Sequence, residues 1–236
     1  MQITELWRYP VKSVGGEQLQ SATIDSHGIV GDRGWGLLDL NTDKTLTARR
    51  EPALLLASAS VVGTDVVLTL PDGAETNDGA QLSSWLGKDV SLRKATTETS
   101  ATFENPLDWE HEADWVAWDG PVGSFHDSGR TMVSLCCDDT ARDWDHRRFR
   151  QNIWLTGAGE TSLVGSKVLV GSVQFRVTKR IARCVMVTRP QPGLDRDLSV
   201  LRTISAEMES SLGIGAIIET AGTIAVGDEL TAEDDR

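Results

Sequence analysis

Lys179-Arg180-Ile181-Ala182-Arg183-Cys184 follows a strand-like run, Val168 to Val177, and sets one cysteine beyond the end of that run with three cationic side chains close to it in sequence. Thiolate is the form of cysteine that attacks electrophiles or binds a soft metal, and neighbouring cations favour it. Cys184 is therefore the candidate reactive atom of the chain. The alternative is a small buried hydrophobe, since free cysteine is among the most buried residue types.

Outward from this segment, the composition narrows the class of protein. With 236 residues the chain is long enough for one large domain or two small ones. Its three cysteines, Cys136, Cys137 and Cys184, make no disulfide framework and no paired zinc motif, which fits a reducing, cytoplasmic compartment. The opening residues MQITELWRYP lack the basic start and apolar stretch of a signal peptide, and no apolar run approaches the length of a membrane span. A formal net charge of -12 argues against nucleic acid as a partner, because such binding relies on a basic surface. Yet Arg147, Arg148 and Arg150 cluster, as do Lys179, Arg180 and Arg183. Clusters of this kind suit a small anion such as phosphate, or form solvated pairs with Asp138, Asp139, Asp143 and Asp145.

The chain reads as mainly β with a few short helices. Strands are expected at Ile3 to Tyr9, Gln18 to Ile24, Gly34 to Leu40, Leu54 to Val62 and Val66 to Leu70, with turns at Ser26-His27-Gly28, Asn41-Thr42-Asp43 and Pro71-Asp72-Gly73. A helix is expected at Ala80 to Leu86. The stretch Thr96 to Asp119 is acidic, tryptophan-rich and broken by Asn105-Pro106, and reads as an irregular domain connection. Beyond it come a buried strand Thr131 to Cys137, a short helix Asp138 to Arg147 opening on an Asp cap, and a strand at Asn152 to Leu155. A hairpin through Gly171-Ser172, a helix Leu198 to Leu212, strands at Ala216 to Thr220 and Thr223 to Leu230, and a solvated tail AEDDR complete the reading. Trp109, Trp115 and Trp118 either stack a planar ligand or pack one domain on its neighbour, and packing is the commoner use.

Three further segments join Cys184: Tyr9-Pro10-Val11-Lys12-Ser13, Gly31-Asp32-Arg33 and Phe149-Arg150-Gln151-Asn152. In this order, with the Ala-Arg-Cys cysteine, the set resembles the MOSC family, named for the molybdenum cofactor sulfurase C-terminal domain. The likeness runs through nearly the whole chain and is greatest to the branch of the mitochondrial amidoxime-reducing component and its bacterial relatives. It implies a two-lobed fold, an N-terminal β-barrel domain over residues 1–95 and a MOSC β-barrel domain over 96–236. It also implies a molybdenum-molybdopterin cofactor between them, its phosphate gripped by basic and hydroxyl side chains. Carried residue by residue, Lys12, Ser13 and Arg33 reach the cofactor from the first domain, Arg150, Asn152 and Arg183 from the second, and Cys184 coordinates molybdenum. Phe125-His126-Asp127-Ser128 resembles a cofactor-contacting loop and adds Ser128, with His126 read as structural. For Arg147, Arg148, Lys179 and Arg180 a solvated surface remains the reading. Gln151 stands where relatives commonly carry proline, and Val187-Thr188-Arg189-Pro190-Gln191-Pro192 departs from their usual run after the cysteine, so the pocket edge is expected to differ.

The activity implied is reduction of N-hydroxylated small molecules, with the protein fixing the metal's coordination and the cofactor supplying the redox step. Three cysteines cannot supply the four ligands an iron–sulfur cluster usually takes, so electrons are expected from a separate flavoprotein or ferredoxin. The alternative is a carrier that holds the cofactor, or a persulfide on Cys184, and passes it on without turnover of its own.

Overall fold

The computed structural model describes residues 1–108 and 113–232. Its larger lobe is an eight-stranded sheet in the order Leu230–Ala232, Lys167–Val170, Val173–Ala182, Ser211–Thr220, Val133–Cys137, Ile153–Leu155, Ile3–Arg8, Glu17–Leu19. Val133–Cys137 and Ile153–Leu155 run parallel, whereas the other neighbours are antiparallel. A parallel pair needs a crossover. The segment that makes it carries Arg148, Phe149 and Arg150 back to the start of Ile153–Leu155. Strand alternation sends Leu135 and Cys137 into one core with Ile153, Phe175 and Ile214, and Cys136 into another with Trp154 and the helix Leu198–Glu207.

The first strand and Glu17–Leu19 thus belong to a sheet otherwise completed by the second half of the chain. From the end of the first strand, Tyr9 to Val14 leads into the smaller lobe, whose core gathers Val11, Val14, Trp35, Leu37, Leu54, Leu68, Leu82 and Val90. Trp35–Asp39 pairs with Val90–Lys94 and Lys44–Thr45, and Ser58–Val62 with Asp65–Thr69. The helix Gly79–Leu86 starts where Asp78 accepts from the amides of Ala80 and Gln81, and it stops at left-handed Gly87.

Several expectations are corrected. Thr102–Asp108 and Ala113–Asp119 form an antiparallel hairpin in a two-stranded sheet, not an irregular connection. Pro106 fits there because a two-stranded ribbon has open edges, where a missing N–H breaks no ladder. Pro52 opens a 3₁₀ turn over Pro52–Leu56, so that strand begins only at Ser58. The helix from Leu198 ends at Glu207, since Glu209 and Ser210 take left-handed φ of 50° and 57°, and a strand starts at Ser211. The helix from Asp138 ends at Ala141 because Arg142 takes φ 57°, and the capping aspartate is Asp145, one turn later, accepting from the Arg147 amide at 3.0 Å. Gln18 to Ile24 is split: Glu17–Leu19 joins the large sheet, while Ser21–Asp25 pairs with Gly222–Ala225. The closing segment is split likewise, into Gly222–Ala225 and Leu230–Ala232. Trp109 and residues 233–236 of the tail lie outside the described residues.

Gly213 has φ 77°, and a Cβ there would stand 2.7 Å from the Leu135 carbonyl oxygen and 2.1 Å from the Gln151 amide nitrogen. Gly213→Ala is expected to destabilise the protein by at least about 1–3 kcal/mol from backbone strain alone, read from urea unfolding. Gly157→Ala, with open space around it, isolates the strain from the clash.

Candidate functional site

The lobes meet around Tyr9. Its amide donates to Asp32 at 2.7 Å and its carbonyl accepts from the Arg33 amide at 2.8 Å, tying the Tyr9 to Ser13 segment to the Gly31 to Arg33 turn. The guanidinium carbons of Arg33 and Arg150 stand 4.9 and 4.3 Å from the centre of the Tyr9 ring. Arg33 donates to Asp32 and, at 3.2 Å, to the Arg150 carbonyl, while Arg150 donates to the Val14 carbonyl. Ser13, Arg33 and Arg150 hold left-handed φ of 66°, 48° and 53°. Such geometry is uncommon outside glycine and costs free energy, so its concentration at one place marks a constrained site.

These residues border two connected recesses. A niche of about 40 Å³ is lined by Lys12, Ser13, Arg33, Arg49, Asp127 and Arg150. A cavity of about 260 Å³ shares Arg33, Arg49, Asp127 and Arg150 with it and continues past Ser128 and Asn152 to Arg183 and Cys184. The structure therefore brings Lys12, Ser13, Arg33, Ser128, Arg150, Asn152, Arg183 and Cys184 to one place. Lys12 pairs with half-exposed Asp127 at 2.7 Å, and Arg49 lies 3.8 Å from the same carboxylate. Burial pulls the Lys12 ammonium down to about 8, only partly offset by Asp127. Burial, reinforced by the charge of Arg33, pulls Arg150 down to about 10. Burial works to raise the Asp127 carboxyl, but Lys12 and Arg49 outweigh it and hold the group well below the usual range.

The cation at the thiol is Arg49, which the sequence reading missed. It lines the cavity beside Cys184 and interacts with it electrostatically, its guanidinium carbon lies 5.2 Å from the centre of the Trp118 ring, and its Nε is buried without a hydrogen-bond partner. The only local signal was the Arg49-Arg50 pair in an acidic chain. Two of the three cations expected beside Cys184 are otherwise engaged. Arg180 turns to Glu209 at 2.9 Å and to the Met208 carbonyl. Arg183 spends its donors on backbone, with Nε and Nη2 on the Leu212 carbonyl at 2.9 and 2.6 Å and Nη1 on Phe149 at 2.9 Å. It frames the cavity wall rather than offering a free fork to an anion. Lys179 lines the cavity.

Other assignments shift in the same way. Arg148 is not solvated surface: it is buried and donates to the Asp195 carbonyl at 2.9 Å, holding the loop that follows Cys184. Arg147 keeps a surface role, forked onto Asp145 at 2.9 and 2.8 Å. Asn152 is a bracket between strands, because its Oδ1 accepts from the Ser134 amide and hydroxyl at 3.2 and 3.0 Å and its Nδ2 donates to the Trp7 carbonyl at 3.2 Å. Trp118 packs on Phe103 at 5.3 Å, and Trp115 lies under Arg50 at 4.0 Å. These two rings seat arginines. Cys136 and Cys137 are fully buried; burial drives the Cys136 thiol far up and Cys137 up to about 12.

The geometry defines a two-lobed β protein with an anion cavity built from both lobes and bordered by a half-buried thiol. Family models match the chain as the MOSC N-terminal beta barrel domain over residues 1–117 and the MOSC domain over residues 130–231, and the chain belongs to the MOSC family. That family is generally associated with binding of the molybdenum cofactor. Among solved structures, the YUAD protein from Bacillus subtilis is similar at 13% identity, with a TM-score of 0.50 over 97% of this chain and 93% of that one, a likeness of fold. YiiM from Geobacillus stearothermophilus aligns at 14% identity and a TM-score of 0.37, over 58% of this chain and 74% of that one. Comparison with curated proteins gives no match. Among the described residues, no helix is long and apolar enough to cross a membrane.

Two measurements test this geometry. Asn152→Ala leaves the buried Ser134 amide without its side-chain partner and is expected to cost about 1–3 kcal/mol in cofactor-free protein, read from chemical unfolding; an effect seen only with cofactor bound contradicts the bracket. Burial lowers the His126 imidazole to about 4 from an ordinary 6.5. Between these values the unfolded chain binds a proton that the folded chain refuses, so stability falls as pH falls from 6.5 to 4, by up to roughly 3 kcal/mol. His126→Gln should flatten the dependence of unfolding free energy on pH in that window.

Proposed function

We propose that the chain holds a molybdenum-pterin cofactor between its lobes and reduces N-hydroxylated small molecules with electrons from a separate flavoprotein or ferredoxin. The cytoplasm is the proposed site of action, in keeping with three unpaired thiols. The observation that carries the reading is an excess of positive charge, buried at Lys12 and partly buried at the arginines, around one recess. Lys12, Arg33, Arg49 and Arg150 face two carboxylates, Asp32 and Asp127, around a recess that runs to Cys184. The partnerless Arg49 Nε and the lowered Lys12 and Arg150 are what such a cluster looks like before an anion neutralises it.

The donor set fits the group. Lys12, Ser13, Arg33, Arg49 and Arg150 would take the phosphate, Ser128 would add a hydroxyl, and Cys184 would give the metal a soft thiolate. Among the described residues no three His, Cys, Asp or Glu side chains stand together to hold a metal, so an organic ligand has to bring it. When bound, the cofactor supplies two-electron chemistry that the side chains lack. The net change takes R–NH–OH, two electrons and two protons to R–NH₂ and water. The chain's own work is to neutralise the phosphate, hold the Cys184 sulfur beside Arg49 and keep the loop after Cys184 in place through Arg148.

Cys184→Ser is expected to abolish electron consumption with benzamidoxime while leaving the melting of cofactor-free protein unchanged, since oxygen is a harder, poorer ligand than thiolate. Arg150→Ala removes a charge-assisted contact and should weaken cofactor retention about ten- to hundredfold. Metal and pterin content of the purified protein read that loss, and the gap in Tm between loaded and empty protein should narrow with it. Full molybdenum content in Arg150→Ala would overturn the assignment of the cluster. A loaded parent protein that never consumes electrons, with any donor, would make it a carrier.

A further inference from the structure

Cys184 has a second cavity on its other side. Its volume is about 270 Å³, and it lies between the strand Thr102–Asp108, the helix Leu198–Glu207 and the loop after Val173–Ala182. The two cavities have Arg183 and Cys184 in common and no other lining residue. Their chemistry is opposite. The first is lined by arginines; in the second, among the described residues, Arg183 is the one charged lining residue, and its guanidinium is engaged by the Phe149 and Leu212 carbonyls. The rest of the described lining is neutral: an apolar wall of Leu107, Val185 and Leu201, with the Asn105 amide and the Ser205 and Ser210 hydroxyls as hydrogen-bonding groups.

We propose that this second cavity is the substrate pocket, and that it takes a small uncharged molecule with a flat or aliphatic body and one hydrogen-bonding head. This rests on the reading of Cys184 as the metal-bearing residue. A body against Leu107 and Leu201 gains by leaving water, while the serine hydroxyls and Asn105 orient the polar head beside the thiol. A volume of about 270 Å³ lies just under the usual range of about 300–1,000 Å³ for small-molecule sites, which favours a single ring over a fused or chain-extended ligand. An anionic substrate finds no free cation here, and the cation-rich recess on the other side draws it away from the reacting position.

The test uses the full chain without cofactor and reads alkylation of Cys184 by iodoacetamide, followed by mass spectrometry; Cys136 and Cys137 are fully buried and stay unlabelled. Benzamidoxime is expected to slow the labelling in a concentration-dependent way, whereas 4-carboxybenzamidoxime is not. Ser205→Trp fills the cavity from an exposed helix position and should abolish protection without changing calorimetric binding of inorganic phosphate. Leu107→Asp, at a strand position 68% exposed, should weaken protection about tenfold or more by placing a charge on the apolar wall. Equal protection in Ser205→Trp, or equal protection by the anionic analogue, overturns the proposal. In loaded protein, Ser205→Trp should raise KM with molybdenum content unchanged. Turnover at the parental KM in that variant sinks the pocket and leaves the reductase reading standing, whereas lost protection in a protein with no turnover does the reverse.

Discussion

Four cations, one buried and three partly buried, sharing two carboxylates are the constraint on which the rest of this structure turns. Like charges at close quarters in a poorly solvated recess repel, and each lowers the tendency of the others to stay ionised. The fold holds them together by fixing backbone first. Tyr9 bridges both lobes through its amide, its carbonyl and its ring, and the left-handed turns at Ser13, Arg33 and Arg150 aim their side chains before any ligand arrives. An anion entering the recess would relieve that repulsion, and the backbone strain is in place before it binds.

Placing the first strand, Ile3–Arg8, in a sheet otherwise built largely from the second half of the chain has a direct consequence for the site. The segment from Tyr9 to Ser13 then has to cross from one core to the other, and it crosses beside the returning end of the parallel crossover, Phe149 to Asn152. Asn152 binds the two edges together by accepting from Ser134 and donating to Trp7. A side chain that looks like a ligand in the motif is thus spent on holding Lys12 and Arg150 in register. Arg183 is spent likewise, on Phe149 and Leu212. Gln151 is fully buried and packs against Gly213, a position whose left-handed backbone leaves no room for a Cβ. That packing fixes the segment between Arg150 and Asn152.

What could be read from the chain followed from how local the cause was. Tyr9 to Ser13, Gly31 to Arg33, Phe149 to Asn152 and Cys184 were legible because each is a short segment and, in that order, they carry the likeness to the MOSC family. The helix at Gly79–Leu86 was legible because Asp78 and Gly87 punctuate it. Arg49 was not, since its meaning lies in its electrostatic interaction with Cys184 from the other lobe, and no spacing rule connects the two. The hairpin of Thr102–Asp108 and Ala113–Asp119 was hidden by Pro106, a breaker in a central strand but harmless on a ribbon edge. The helix from Leu198 was overextended because Glu209 and Ser210 carry no glycine to announce their left-handed turn.

The three cysteines show how little residue type decides. Cys136 and Cys137 sit side by side on one strand and face opposite cores, each fully buried with Glu160 close to both, and the charge of Arg183 offsets the rise only in part at Cys136. A negative carboxylate and a dry surrounding act in the same direction and keep both thiols protonated. Cys184 stands where two cavities of different lining meet, half-buried and within electrostatic reach of the Arg49 guanidinium. One side of that sulfur faces a recess lined by cations, and the other faces a recess whose described lining is neutral apart from Arg183, so an anionic group and an uncharged molecule would approach it from different sides. Arg183 and Cys184 are all that the two described linings share.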